Sequence, residues 1–177
     1  MSKSIHKWQL AGFLFTSVAG TLLHFLFDWT GENPVAGLFS AVNESIWEHM
    51  KLLFYPMVTV ALIQFRFGKP LPDCFWQIKL TGILAGLLLI PVLYYCYTGM
   101  LGIEADWFNI TIFFIAAAFA FRLEAALFRK NCRCPISTGS AIATLVVISL
   151  LFSLLTFFPP EIPFFRDPVT GTYGYQK

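Results

Sequence analysis

Asn43-Glu44-Ser45-Ile46-Trp47-Glu48-His49-Met50-Lys51 opens the second of five long apolar segments. Five of its side chains are ionisable or amide, at the point where a helix would be entering hydrocarbon. Such groups are costly at membrane depth and persist mainly where they have a task or a partner. The first apolar segment ends His24-Phe25-Leu26-Phe27-Asp28, which should arrive at the same side.

The composition around these stretches is that of a membrane domain. Of 177 residues 57% are hydrophobic and 12% charged, against about 25% charged in soluble domains. Mean hydropathy is +0.69. Nothing in the chain suggests a nucleic-acid partner; the lipid bilayer is the expected one. Apolar runs of about 20 residues each span the hydrocarbon core as helices, and unpaired strands are not tolerated there. The expected fold is therefore all-α. Residues 1–177 form a single transmembrane domain with helices at about 8–28, 45–66, 75–98, 106–129 and 139–158 and a tail at 159–177. The first segment is too long for a signal-peptide core and lacks a cleavage site before the polar loop, so it is expected to be a mature helix.

Charge asymmetry orients the bundle. Lys3, Lys7, Arg66, Lys69, Lys79, Arg122, Arg129, Lys130 and Arg133 fall on one side, and only Lys51, Arg166 and Lys177 on the other. This predicts an N-terminus inside and a C-terminus outside, in a multi-pass protein. Cys74, Cys132 and Cys134 then lie on the reducing side, and no disulfide framework is expected.

His24 and Asp28 are four residues apart on one helical face. Glu44 and Glu48 have the same spacing, with His49 adjacent. Imidazole with carboxylate suits Zn²⁺ or another divalent transition metal. We assign His24, Asp28 and His49 as metal ligands and Glu44 and Glu48 as catalytic carboxylates, all expected in one outward pocket with Asn43 and Lys51 at its margin. A structural alternative exists, because Ser45-Ile46-Trp47-Glu48 fits a capping box in which Glu48 reaches back to the Ser45 amide. The tail, rich in turn residues, places Arg166, Asp167 and Tyr173 where they can fold back as a lid. At the opposite end, Gln77, Lys79, Arg122 and Glu124 read as structural, with the two cations snorkelling and one ion pair to Glu124. Pro56 and Pro91 favour kinks in the second and third helices.

The stretches His24-x3-Asp28, Asn43–Lys51 and Phe165-Arg-Asp-Pro-Val-Thr-Gly-Thr-Tyr-Gly174 resemble a family of small bacterial membrane proteins of unknown function. That resemblance implies a bacterial plasma membrane and brings no activity. Asn43-Glu44…Ile46-Trp47-x-His49 is also similar to the opening motif of the hemolysin III, adipoQ-receptor and alkaline ceramidase superfamily. This implies a question about metal-dependent amide hydrolysis. The histidines are His6, His24 and His49, with no late His-x3-His, so a three-histidine site does not carry over.

Three functions fit these residues. The first is an intramembrane metal-dependent hydrolase acting on a lipid-like substrate. The second is a small-molecule, metal or proton transporter or its binding subunit. The third is a structural or regulatory subunit, in a homo-oligomer or beside a membrane partner.

Overall fold

The computed structural model describes residues 2–68, 71–103, 105–130 and 134–176, with backbone alone at 2–4 and 106. Lys69, Glu104, Cys132, Arg133 and Lys177 lie outside the described residues, as does the side chain of Lys3. Six α-helices follow in order: α1 (Ser2–Trp29), α2 (Pro34–Gly37), α3 (Ile46–Phe67), α4 (Phe75–Leu101), α5 (Asp106–Arg129) and α6 (Thr138–Phe157). Among the described residues there is no strand, only an isolated bridge between Arg166 and Tyr173. Five of the helices are long and apolar enough to cross a membrane. The chain is a multi-pass membrane protein.

The spans agree closely with the apolar runs, and their ends follow local chemistry. Helix α1 starts earlier than expected because nothing between Ser2 and Lys7 breaks a helix; the hydrophobic limit is not the helical limit. Helix α3 starts at the N-cap Ser45, whose hydroxyl accepts from the Glu48 amide. Helix α4 runs on to Leu101 and stops at Gly102, whose φ of 65° is left-handed, a conformation that favours glycine. Both α3 and α4 run as unbroken helix through Pro56 and Pro91.

Helices α1, α3, α4 and α5 form a ring of neighbours, and α6 packs outside it on α4 and α3. Helix α3 is the central element: 56% of its apolar window is buried, against 22% for α1 and α6. The loop after α1 forms α2, capped by the Asn33 side chain. Small residues set the packing distance. A side chain at Gly20 would overlap Phe113 and the Leu52 carbonyl, and Gly86 lies against Leu53 and Ala120. Ala116, Ala117 and Ala120 are fully buried, which is the close-packing role expected of small residues between membrane helices.

Two expectations need correction. Lys79 does not snorkel: it is 1% exposed and paired with Glu124 inside the ring. And the cysteines do form a bridge. Cys74, at the start of α4, and Cys134, just before α6, are joined by a disulfide with a Cα–Cα distance of 5.4 Å. Spacing in sequence gives no hint of this, because the α4–α6 packing brings the two helix starts together. Gln77 ties the same region by donating to the Ile136 carbonyl. In protein purified without reductant, exposed Cys96 should take up maleimide at once. Cys74 and Cys134 should react only after dithiothreitol, read by peptide mass spectrometry.

Candidate metal centre

Glu44 lies in the linker before α3, and therefore outside the helix. Its carboxylate reaches across to two imidazoles. His24 Nε2, from the last turns of α1, is 3.6 Å from Oε1, and His49 Nε2, from the first turn of α3, is 3.4 Å from Oε2. One ligand atom from each of His24, Glu44 and His49 lies within 4.8 Å of the others. The two imidazole rings are 5.5 Å apart.

The hydrogen bonding orients this group. His49 Nδ1 is 2.9 Å from the Ser45 carbonyl oxygen, which can only accept. Nδ1 therefore carries the proton, and a neutral His49 presents the Nε2 lone pair to the Glu44 carboxylate. Two electron-rich atoms at that distance repel unless a proton or a cation lies between them. Such backbone anchoring of one ring nitrogen is what orients metal-ligating histidines. The Glu44 carboxyl is held below the usual carboxylate range, chiefly by the hydrogen bond that His49 donates when its ring is protonated at both nitrogens, with partial burial opposing it. It is the ionised form that would serve as a ligand.

His24 and His49 form the polar end of a cavity of about 160 Å³ whose other walls include Gly20, Phe25, Leu52, Ile110 and Phe113. On the far side of His49 a small crevice is lined by Ile90, Tyr94 and Ile112. Asn109 lines both, and its Oδ1 accepts from the Tyr97 hydroxyl at 2.7 Å. Sequence reasoning passed over Asn109, although a lone amide early in an otherwise apolar span was a usable signal.

A sequence model of the family of unknown function DUF6512 matches residues 1–175. The chain belongs to DUF6512. No curated protein and no solved structure matches it, so the functional reading of this DUF6512 member rests on its own geometry.

The single pocket expected around five residues is two clusters here. Glu48 and Lys51 turn away from the histidines and form a buried ion pair at 2.6 Å, 1% and 0% exposed. Lys51 Nζ also donates to the Gly37 carbonyl and to Thr156 Oγ1, each at 2.8 Å. Glu48 accepts from Thr156 Oγ1 and from the Val42 amide. The capping box is thus half formed: Ser45 caps, but Glu48 takes the Val42 amide, and the Ser45 amide goes to Asn43 Oδ1. Asp28, exposed one turn beyond His24 on α1, is not among the three grouped ligands.

The tail is ordered against this second cluster. Tyr175 donates its amide to the Thr156 carbonyl at 2.8 Å, and Asn43 Nδ2 donates to the Gly174 carbonyl at 3.1 Å. Trp47 meets Phe164 edge-on and packs at a tilt against Phe165. Asp167 is buried and holds its own turn, accepting from the Val169 and Thr170 amides and the Thr170 hydroxyl. Arg166 and Tyr173 pair across that turn. Among the described residues the tail is fastened to Asn43, Trp47 and Thr156, beside the buried ion pair, and Arg166 lines a separate cavity with Tyr94 and Tyr95.

Removing one partner of a buried pair leaves an uncompensated charge and costs about 3–5 kcal/mol. Lys51→Met should lower the detergent-solubilised unfolding midpoint sharply. Lys51→Met with Glu48→Gln should recover much of that loss, and His49→Ala should lower it least of the three.

Proposed function

We propose that His24, Glu44 and His49 bind a divalent transition metal, with Zn²⁺ the best match, and that the protein is a membrane-embedded hydrolase for a lipid-like amide or ester. The observation that carries this reading is two imidazole Nε2 atoms converging on one carboxylate within 4.8 Å. Two histidines and a glutamate are an established catalytic zinc set, with three protein ligands and an open fourth position. A metal so held lowers the pKa of its bound water towards neutrality and polarises a carbonyl. The apolar cavity beginning at the histidines suits the chain of a lipid-like molecule.

The general base is then Asp28 in place of Glu48. Both Glu48 oxygens are engaged inside the protein, whereas Asp28 is exposed one turn beyond His24 on the same helix. The charge asymmetry of the chain favours an outward-facing site, and the Cys74–Cys134 disulfide at the other end of the bundle weighs against that orientation. Transport is the second reading, and it draws on a different observation, the polar residues at the opposite end of the bundle.

Elemental analysis of protein purified from zinc-supplemented cells should find one metal per chain. His24→Ala, His49→Ala and Glu44→Ala should each lose it. Asp28→Asn should keep the metal and lose hydrolysis of fluorogenic acyl amides and esters. A metal-free wild type, or full occupancy in the double histidine variant, would sink the proposal.

A further inference from the structure

The ring of α1, α3, α4 and α5 holds a second polar group that the metal centre does not use. The helix contacts fix its level. Gly12 packs against Val60 and Phe121, and Gly20 against Leu52 and Phe113, so α1 runs antiparallel to both α3 and α5. Counting from Gly12 towards the opposite end puts Gln9, Gln64 and Glu124 within one turn of each other. Gly82 leaves room for the Glu124 side chain, where an added carbon would overlap it, and Lys79 Nζ donates to Glu124 Oε2. Gln9 and Gln64 are each 4% exposed, Lys79 1% and Glu124 0%. At 1.5 Å rise per residue, the fifteen residues from Gln9 to His24 put this level about 22 Å from the metal centre.

The group is under-satisfied. Gln9 Nε2 and Oε1, Gln64 Oε1 and Glu124 Oε1 make no hydrogen bond among the described residues, although Gln9 lies beside the Glu124 carboxyl. A buried polar atom without a partner is costly, and buried waters are the usual partners of such atoms. Lys79 is different. Besides Glu124, its ammonium lies 5.6–5.8 Å from the ring centres of Phe75, Phe121 and Phe128. Three ring faces hold the charge by a cation–π interaction that does not depend on the carboxylate. The other cations of these helices near this level, Lys7, Arg66 and Arg122, are exposed.

We propose that Gln9, Gln64, Lys79 and Glu124 wall a hydrated proton-binding site, with Glu124 the group that takes the proton. A proton from water adds to Glu124 Oε1, converting carboxylate to acid, and the hydronium that brought it becomes water. Gln9 Oε1 accepts from the new hydroxyl. Lys79 keeps its proton and its charge, held by the three rings. This is the coupling group that a proton-linked transporter would need, and it stands or falls independently of the metal centre.

Infrared difference spectroscopy on detergent-solubilised protein tests it directly. With ¹³C-glutamate labelling, lowering the pH should raise a carboxylic-acid C=O band. The band should shift promptly in D₂O and disappear in Glu124→Gln. Gln9→Leu, which retains the carboxyl, should move the band to the frequency of an acid with one fewer hydrogen bond. No label-sensitive acid band at any pH at which the wild type stays folded would overturn the proposal. So would a band indifferent to both substitutions, or one that resists D₂O for hours. A Gln9→Leu variant more stable than wild type would mark a dry cluster and overturn it as well.

Discussion

One buried ion pair, Glu48 with Lys51, organises that end of the molecule. Lys51 has three ammonium protons, and the structure supplies three acceptors: Glu48, the Gly37 carbonyl and Thr156 Oγ1. Each acceptor belongs to a different part of the chain. Gly37 brings in the loop between the first two spans, and Thr156 brings in the end of α6. Glu48 completes the arrangement by accepting from the Val42 amide. A charge taken out of water this completely is tolerable only when every proton and lone pair has a partner. Loop and helix end are therefore held jointly, and loss of any acceptor weakens the others.

The tail depends on the same cluster. The Thr156 side chain binds Lys51 and Glu48, while its carbonyl, left over at the end of α6, accepts from Tyr175. Gly174 has a φ of 56°, and an added Cβ there would overlap the Thr156 carbonyl. Close approach and left-handed backbone both favour glycine at that position. Asn43, the residue that precedes Glu44, holds the tail by donating to the Gly174 carbonyl. The segment that anchors the tail is thus also the one that aims the Glu44 carboxylate at the two imidazoles.

Hydrophobic run length and charge composition made the five spans legible, and Ser45 announced the start of α3. The partition of the polar stretch was not legible from spacing alone. An i,i+4 spacing puts Glu44 and Glu48 on one face only within a helix, and Glu44 precedes the N-cap Ser45. Within α3 each residue advances about 100°. Lys51 therefore returns to within about 60° of Glu48, while His49 points about 100° away from it. The ion pair and the histidine had to separate once the helix began at Ile46. That Glu48 and Lys51 would face inward, and His49 towards α1, depends on where α6 and the loop pack. No local pattern encodes that. Lys79 was misjudged for the same reason: a lysine near a span's end can snorkel, but a carboxylate and three aromatic rings inside the ring of helices compete for it.

Among the described residues three carboxylates, Glu44, Glu48 and Glu124, have ion-pair partners, and their charge balance differs. Glu48 is matched by Lys51, and Glu124 by Lys79. Glu44 faces two imidazoles, and its described ion-pair partners include no lysine or arginine. If both rings are neutral the cluster carries one net negative charge at the edge of a low-dielectric region. With the proton on Nδ1 of each ring, as the Ser45 carbonyl requires of His49, two nitrogen lone pairs and a carboxylate are aimed at a common point. If one ring is protonated the charge closes, but His49 has then given up the lone pair that its Ser45 contact positions. A divalent cation resolves both problems at once, neutralising the carboxylate and using both nitrogens. The other two clusters have no such demand, because each already contains its cation. This imbalance separates the His24–Glu44–His49 group from the two lysine-paired carboxylates.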